Sequence, residues 1–270
     1  MQLRELRLSQ GMQLEEVAAR LGVAASTLSR IETGRAPTRL SYLTLLLDLY
    51  DVTDAEQVRQ LTDWARKGKV KGWWADYNDL LQGPACQYLG LEAAAASVRV
   101  YSPALVPDLL QTRDYAAAAA RAIRPGIRPS PAVRLAAVTM RRKGVMRDGF
   151  ALHVVIDEAA LRIVVGSAHV MAEQIRQLAV SATQPGVIVQ VLAMATPRPV
   201  ICPPVTVLTF PADPDIACTG ILYGQAVLSK NTATKTACDA FARLSKAALP
   251  AEDSARLIAS LSWSGSGKAP

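Results

Sequence analysis

Leu14-Glu15-Glu16-Val17-Ala18-Ala19-Arg20-Leu21-Gly22-Val23-Ala24-Ala25-Ser26-Thr27-Leu28-Ser29-Arg30-Ile31-Glu32-Thr33-Gly34 is the stretch that decides how this chain folds at its start. Leu14, Val17, Ala18 and Leu21 fall at i, i+3, i+4 and i+7, the spacing of one buried helical face. Gly22 follows where the helix must reverse, because glycine alone takes positive φ without strain. A second pattern, with Leu28 and Ile31 inward, closes at Gly34. Two short helices closed by glycines and joined by a turn of about three residues predict a helix-turn-helix. The second helix turns Ser26, Thr27, Ser29 and Arg30 outward, small or polar side chains among which Arg30 is the long reader. Such a face lies against base edges and phosphates in a major groove without a steric wall. Arg35, just past Gly34, is placed to meet the sugar-phosphate backbone.

Outward from this core, Leu43, Leu46, Leu47 and Tyr50 repeat the helical spacing. Thr53-x-x-Glu56 reads as a capping box opening a helix with Val58, Leu61 and Ala65 inward. The first part of the chain is therefore expected to be a compact all-α module of five helices. The run Leu6-Arg7-x-x-x-Gly11-Met12, Glu15 to Val23 and Ser26 to Gly34 resembles the phage-repressor-like (XRE-family) helix-turn-helix regulators of bacteria. The resemblance implies that helix 13–21 crosses the DNA backbone and helix 25–32 enters the major groove. It places the family's base-contacting positions on Ala25, Ser26, Thr27, Ser29 and Arg30, and Gln13 joins the DNA-facing set. Gln13 stands at a cap position where the family usually has Ser or Thr, Leu14 where a backbone-contacting Gln is common, and Ala24 where a capping Ser is usual. Each lost cap costs about 1 kcal/mol, which predicts modest affinity for a monomer and a need for dimerisation.

Composition bounds the rest. A length of 270 residues suggests two domains, and 50% hydrophobic with 20% charged residues excludes disorder for most of the chain. No run approaches the ~18–20 apolar residues of a membrane-spanning helix, and the N-terminus lacks the apolar centre of a signal peptide. The expectation is a cytoplasmic protein with no membrane partner. Cys86, Cys202, Cys218 and Cys238 form no C-x-x-C pair, and His153 and His169 stand in no ligand spacing to them. Buried free thiols are expected, with no metal and no cofactor. The net charge of +7 divides into +2 for residues 1–71 (11 Lys/Arg, 9 Asp/Glu) and +5 for residues 72–270 (19 against 14).

Residues 1–66 are expected to form the helix-turn-helix domain, 67–72 a basic, glycine-punctuated linker, 73–263 a second domain and 264–270 a disordered tail. Trp73-Trp74 reads as the anchor of the new core. Helical patterns run through Leu80–Ala96, Leu109–Ile123, Arg134–Lys143, Glu158–Val164, Ser167–Ala182, 231–248 and 251–262. Strand candidates are Ala151–Ile156, Val187–Leu192, Val205–Phe210 and Ala217–Tyr223. The fold class is α+β: a small all-α domain followed by a larger mixed domain with a small sheet.

A second resemblance covers almost all of this part. Trp73-Trp74, Tyr88-Leu89-x-Leu91-Glu92, Tyr101-x-Pro103-x-Leu105-Val106-Pro107-x-Leu109-Leu110-Gln111-Thr112-x-Asp114-Tyr115-Ala116, Arg134, Arg141, Asp157 to Arg162 and Pro185 to Leu192 look like the WhiJ-like group. That group carries the actinobacterial domain of unknown function DUF5753. Asp108 stands where the group commonly has Gly. The resemblance implies a developmental or antitoxin-like regulator, often paired with a small protein of the DUF397 type, and supplies no catalytic residue.

The residues themselves offer little chemistry. There is no phosphate loop, dinucleotide fingerprint, H-E-x-x-H or G-x-S-x-G. Asp157-Glu158 is the best carboxylate pair, yet an N-cap Asp157 with Glu158 in the first turn explains it. His153, in an apolar strand, reads as structural. From Arg121 to Arg147 eight cations occur without a carboxylate, which favours an acidic protein, flanking DNA or an anionic small molecule. Arg134, Arg141, Arg142, Asp157 and Glu158 are the candidate partner- or ligand-binding residues. The leading expectation is a dimeric regulator on an inverted repeat of double-stranded DNA, not an enzyme. The alternatives are a nucleotide-using transferase, which needs a pocket uniting several of those residues, and an interaction hub with vestigial DNA binding.

Overall fold

The computed structural model describes residues 2–33, 38, 40–55, 57–59, 61–62, 72–81, 83–211, 214–221, 224–228, 231–261 and 263. The chain divides into two compact units, Met1–Asp76 and Tyr77–Pro270. The expected linker (but for Gly72) and tail, together with Gly34, Arg35, Glu56 and Ala65, lie outside the described residues.

The first unit opens with α1 (Gln2–Ser9), α2 (Leu14–Arg20), α3 (Ala25–Glu32) and α4 (Leu40–Leu49). Residues 55, 57–59 and 61–62 are again helical. Gly22 has φ +65°, and Val23 N–H reaches back to the Ala18 carbonyl at 3.0 Å, closing α2 as its sequence requires. Val17, Leu28, Leu43, Leu46, Tyr50 and Leu61 form the core. Full burial of one such leucine contributes about 1.5–3 kcal/mol. The expected capping box is corrected by one residue: Asp54, not Thr53, accepts the Gln57 N–H at 3.1 Å. Asp54 sits one position nearer the first helical turn, and its carboxylate takes the orphan donor. Trp73 and Trp74 stack edge-to-face at 5.9 Å in a short 3-10 turn, Trp73–Tyr77, and both are half-buried. They fall in the first unit, Met1–Asp76, four and three residues before the second begins at Tyr77.

The second unit is a six-stranded mixed sheet between helices. Its elements are α5 (Gly83–Ala94), β1 (Ser97–Ser102), α6 (Arg113–Ile123), α7 (Pro129–Arg142), β2 (Ala151–Asp157), α8 (Glu158–Arg162), α9 (Ala168–Ser181) and β3 (Val187–Leu192). β4 (Val205–Thr209), β5 (Ile216–Ile221), β6 (Gly224–Val227), α10 (Asn231–Ala247) and α11 (Ala251–Ser260) complete it. The strand order is β3-β2-β1-β4-β5-β6. β1, β2 and β3 run parallel, and β4 to β6 are antiparallel to their neighbours. Parallel neighbours need long crossovers, which α6–α7 and α8–α9 provide. The class is α+β, with two strands, β1 and β6, beyond the four expected.

Alternation along the strands divides the core. Tyr101, Val155, Leu192, Val207 and Ala217 face Ala237, Phe241 and Leu244 of α10. Ala116 and Ala117 of α6 pack on Ala136 of α7, since the alanine run lets two helices approach closely. β3 ends the sheet, and there Val191 N–H donates to Ser254 Oγ while its carbonyl accepts from Leu249 N–H, both at 2.9 Å. His153 is structural: its Nε2 pairs with Gln190 Oε1 at 2.7 Å and its ring stands edge-on to Phe241. All four cysteines are free, but Cys218 alone is buried, whereas Cys86, Cys202 and Cys238 are half-buried. Asp108 opens a 3-10 turn, Asp108–Leu110, at negative φ, so the position needs no glycine. Among the described residues no helix is long and apolar enough to cross a membrane.

Candidate nucleic-acid interface

The candidate interface is the outer side of α3, held in place by the inner side of the same helix. Leu28, Ile31 and Glu32 are buried, and Ser26 and Arg30 are exposed. Thr27 and Ser29 are half-buried at the margin. Ala25 packs against the core, which turns its side chain away from the reading face proposed for it. Arg30 lies back along its helix, Nε donating to the Ser26 carbonyl at 3.3 Å and Nη2 to Thr27 Oγ1 at 3.4 Å. These are long, exposed contacts, easily exchanged for a base edge. Gln13 occupies the N-cap of α2 with its side chain exposed and making no cap bond, and Ala24 likewise leaves α3 uncapped. Arg35 lies outside the described residues.

Behind this face sits a buried ionic group. Arg7 Nε and Nη2 donate to the two carboxylate oxygens of Glu32 at 2.8 and 3.2 Å, and Nη1 donates to the Met12 carbonyl at 2.8 Å. Tyr50 OH donates to Glu32 Oε1 at 3.4 Å. Burial and the Glu32 charge push the Tyr50 phenol above its ordinary range, so it stays a donor. The signal for Glu32 was present in the spacing: it falls four residues after Leu28, on the inward side.

The five candidate residues of the second unit do not converge. Arg134 makes two bonds to Asp79, at 2.5 and 3.0 Å, and holds that carboxyl below the usual carboxylate range. Arg142 is buried inside the domain, donating twice to Glu92 at 2.8 Å and once to Asp108, with its guanidinium 5.3 Å from the Tyr88 ring. Tyr88 OH also donates to Glu92, at 2.7 Å. The Tyr88-x-x-x-Glu92 spacing puts both on one face of α5 and was the readable sign of this cluster. Arg141 is exposed on α7. Asp157 stands at the N-cap position of α8 without capping it. Its carboxylate instead accepts from Arg198 Nη2 at 2.5 Å and from Tyr101 OH at 3.2 Å, which corrects the capping role. Burial and the Asp157 charge push Tyr101 up to about 12. Glu158 accepts from Met194 N–H at 2.8 Å and from Arg162 at 2.7 Å, which hold its carboxyl low. An open cleft of about 430 Å³ beside α10 is lined by Cys202, Val205, Thr219, Leu228 and Thr236, with no charged side chain among the described residues of its wall.

A helix-turn-helix module joined to an α+β domain defines the class, and the family comparisons agree. Residues 1–61 match a helix-turn-helix domain, which supports a DNA-binding regulator. Residues 85–260 match the domain of unknown function DUF5753, and the chain belongs to that family. No curated protein and no solved structure matches the chain.

Proposed function

We propose that this protein is a cytoplasmic, sequence-specific transcriptional regulator. It binds as a homodimer to an inverted repeat whose half-sites lie about one helical turn, 10–10.5 bp, or a multiple apart. The larger domain docks a small acidic protein, of the DUF397 type that the family resemblance implies, or senses a signal that changes DNA affinity. The observation that carries the reading is the division of α3, with Leu28 and Ile31 buried while Ser26 and Arg30 face solvent. A non-enzymatic role is favoured because Arg134, Arg142, Asp157 and Glu158 are each held by separate internal partners.

Genome-wide mapping of binding sites, followed by titration of the best site, tests this. Arg30→Ala should cost about 1–3 kcal/mol at one base position and relax specificity there. A uniform loss over all sequences, or no preferred site at low salt, refutes the reading.

A further inference from the structure

The cations of residues 121–147 do not act as one field. Arg142 is spent inside the domain and Arg134 is paired to Asp79. Of those that stay outward, Arg141 and Arg147 lie at or beyond the far end of α7, and Arg121 and Arg128 lie where α6 passes into α7. Arg121 and Ile123 lie in the last turn of α6, and Arg128 and Val133 flank the first turn of α7. Arg121 and Arg128 are exposed, and Ile123 and Val133 keep 41% and 51% of their surface in water. From Tyr115 to Arg147 the chain supplies no carboxylate to neutralise them. The connection is stiff. Gly126 takes φ +85°, Ile127 N–H closes on the Arg124 carbonyl at 3.1 Å, and Pro125, Pro129 and Pro131 fix their own φ angles.

We propose that this end of the α6–α7 hairpin docks an acidic polypeptide that places an apolar side chain between Ile123 and Val133. The inference rests on the partner-modulated reading above and gives that partner a place. Charge complementarity sets the sign of the occupant. The two aliphatic side chains set its class, because a phosphate backbone gains nothing from them. A protein interface, by contrast, centres on apolar anchors with arginine around them. The proline-stiffened turn lowers the ordering cost of binding.

The test uses the full chain and a short labelled helical peptide bearing Glu on one face and Leu at i, i+3 and i+7. A second peptide keeps the charge and replaces Leu by Ser. The Leu peptide should bind the wild type and weaken about tenfold or more in the Arg121→Glu/Arg128→Glu variant. It should weaken comparably in Ile123→Ser/Val133→Ser, which leaves the charge unchanged, and not in Arg256→Glu, on the exposed face of α11. Equal binding by all variants, or equal binding of the Ser peptide, overturns the proposal. So does competition by duplex DNA that depends on Arg121 and Arg128 but not on Ile123 and Val133, which marks a nucleic-acid surface. A gel shift on the mapped site separates the two readings. Peptide binding without DNA binding refutes the regulator, and DNA binding without hairpin-dependent peptide binding refutes the docking surface.

Discussion

Replacing Glu32 by alanine should unfold the first unit while leaving the second standing. Glu32 is 2% exposed and Arg7 6%, so the substitution strands a guanidinium away from water. Two of the three Arg7 side-chain bonds described above and the Tyr50 hydroxyl bond disappear with the carboxylate. Breaking a buried pair from one side costs about 3–5 kcal/mol. A module of this size has about 3–9 kcal/mol in all, at 0.05–0.15 kcal/mol per residue. Amide exchange of peptides from residues 2–33 and 40–55 should therefore speed up about a hundredfold to a few thousandfold, at 1.4 kcal/mol per decade. Peptides from the sheet should not change. The Arg7→Met/Glu32→Leu double variant removes both charges and should recover most of the protection. An acceleration below about tenfold, or a double variant as unstable as the sum of its singles, refutes the argument that an uncompensated charge is the cause.

Four further outcomes follow from the geometry. Gly22→Ala should cost about 1–2 kcal/mol in a denaturant melt, all of it backbone, since a Cβ there meets nothing within 4 Å. Gly186→Ala should cost more, because its Cβ comes within 2.6 Å of the Phe150 carbonyl oxygen. Arg142→Ala should destabilise the second unit by about 3–5 kcal/mol, and Arg142→Lys should not rescue it, since one ammonium cannot make the two-pronged bond to Glu92. The lowered carboxyl of Glu158 gives stability present above the ordinary glutamate range and lost as pH falls through its folded value. Acid melts of Glu158→Gln should show a shallower decline in that window; an unchanged slope would disprove the assignment.

Periodicity carried the helices well because their buried faces recur over several turns. Leu14 to Leu21 and Leu28 with Ile31 located α2 and α3, and Gly22 marked the end between them. β1 was hidden because Ser97–Ser102 follows an alanine-rich helix directly and has only six residues before Pro103. β6 was hidden because Gly224–Val227 has little β-branched character, and its place depends on pairing with β5. The outward side of α3 was legible from its small and polar residues. The fate of the cations was not, because Arg142 and Glu92 are 50 residues apart in sequence and no local pattern announces such a pairing. For the same reason Asp157 looked like a cap until Arg198, which no local pattern links to it, claimed its oxygen.

The way β3 finishes the sheet limits how copies of this protein can join. With both main-chain groups of Val191 already engaged by Ser254 and Leu249, and the strand there only six residues long, a foreign strand pairing at that position would first have to displace the Leu249–Ser254 segment. Strand addition is thus discouraged at the Val191 end of that border.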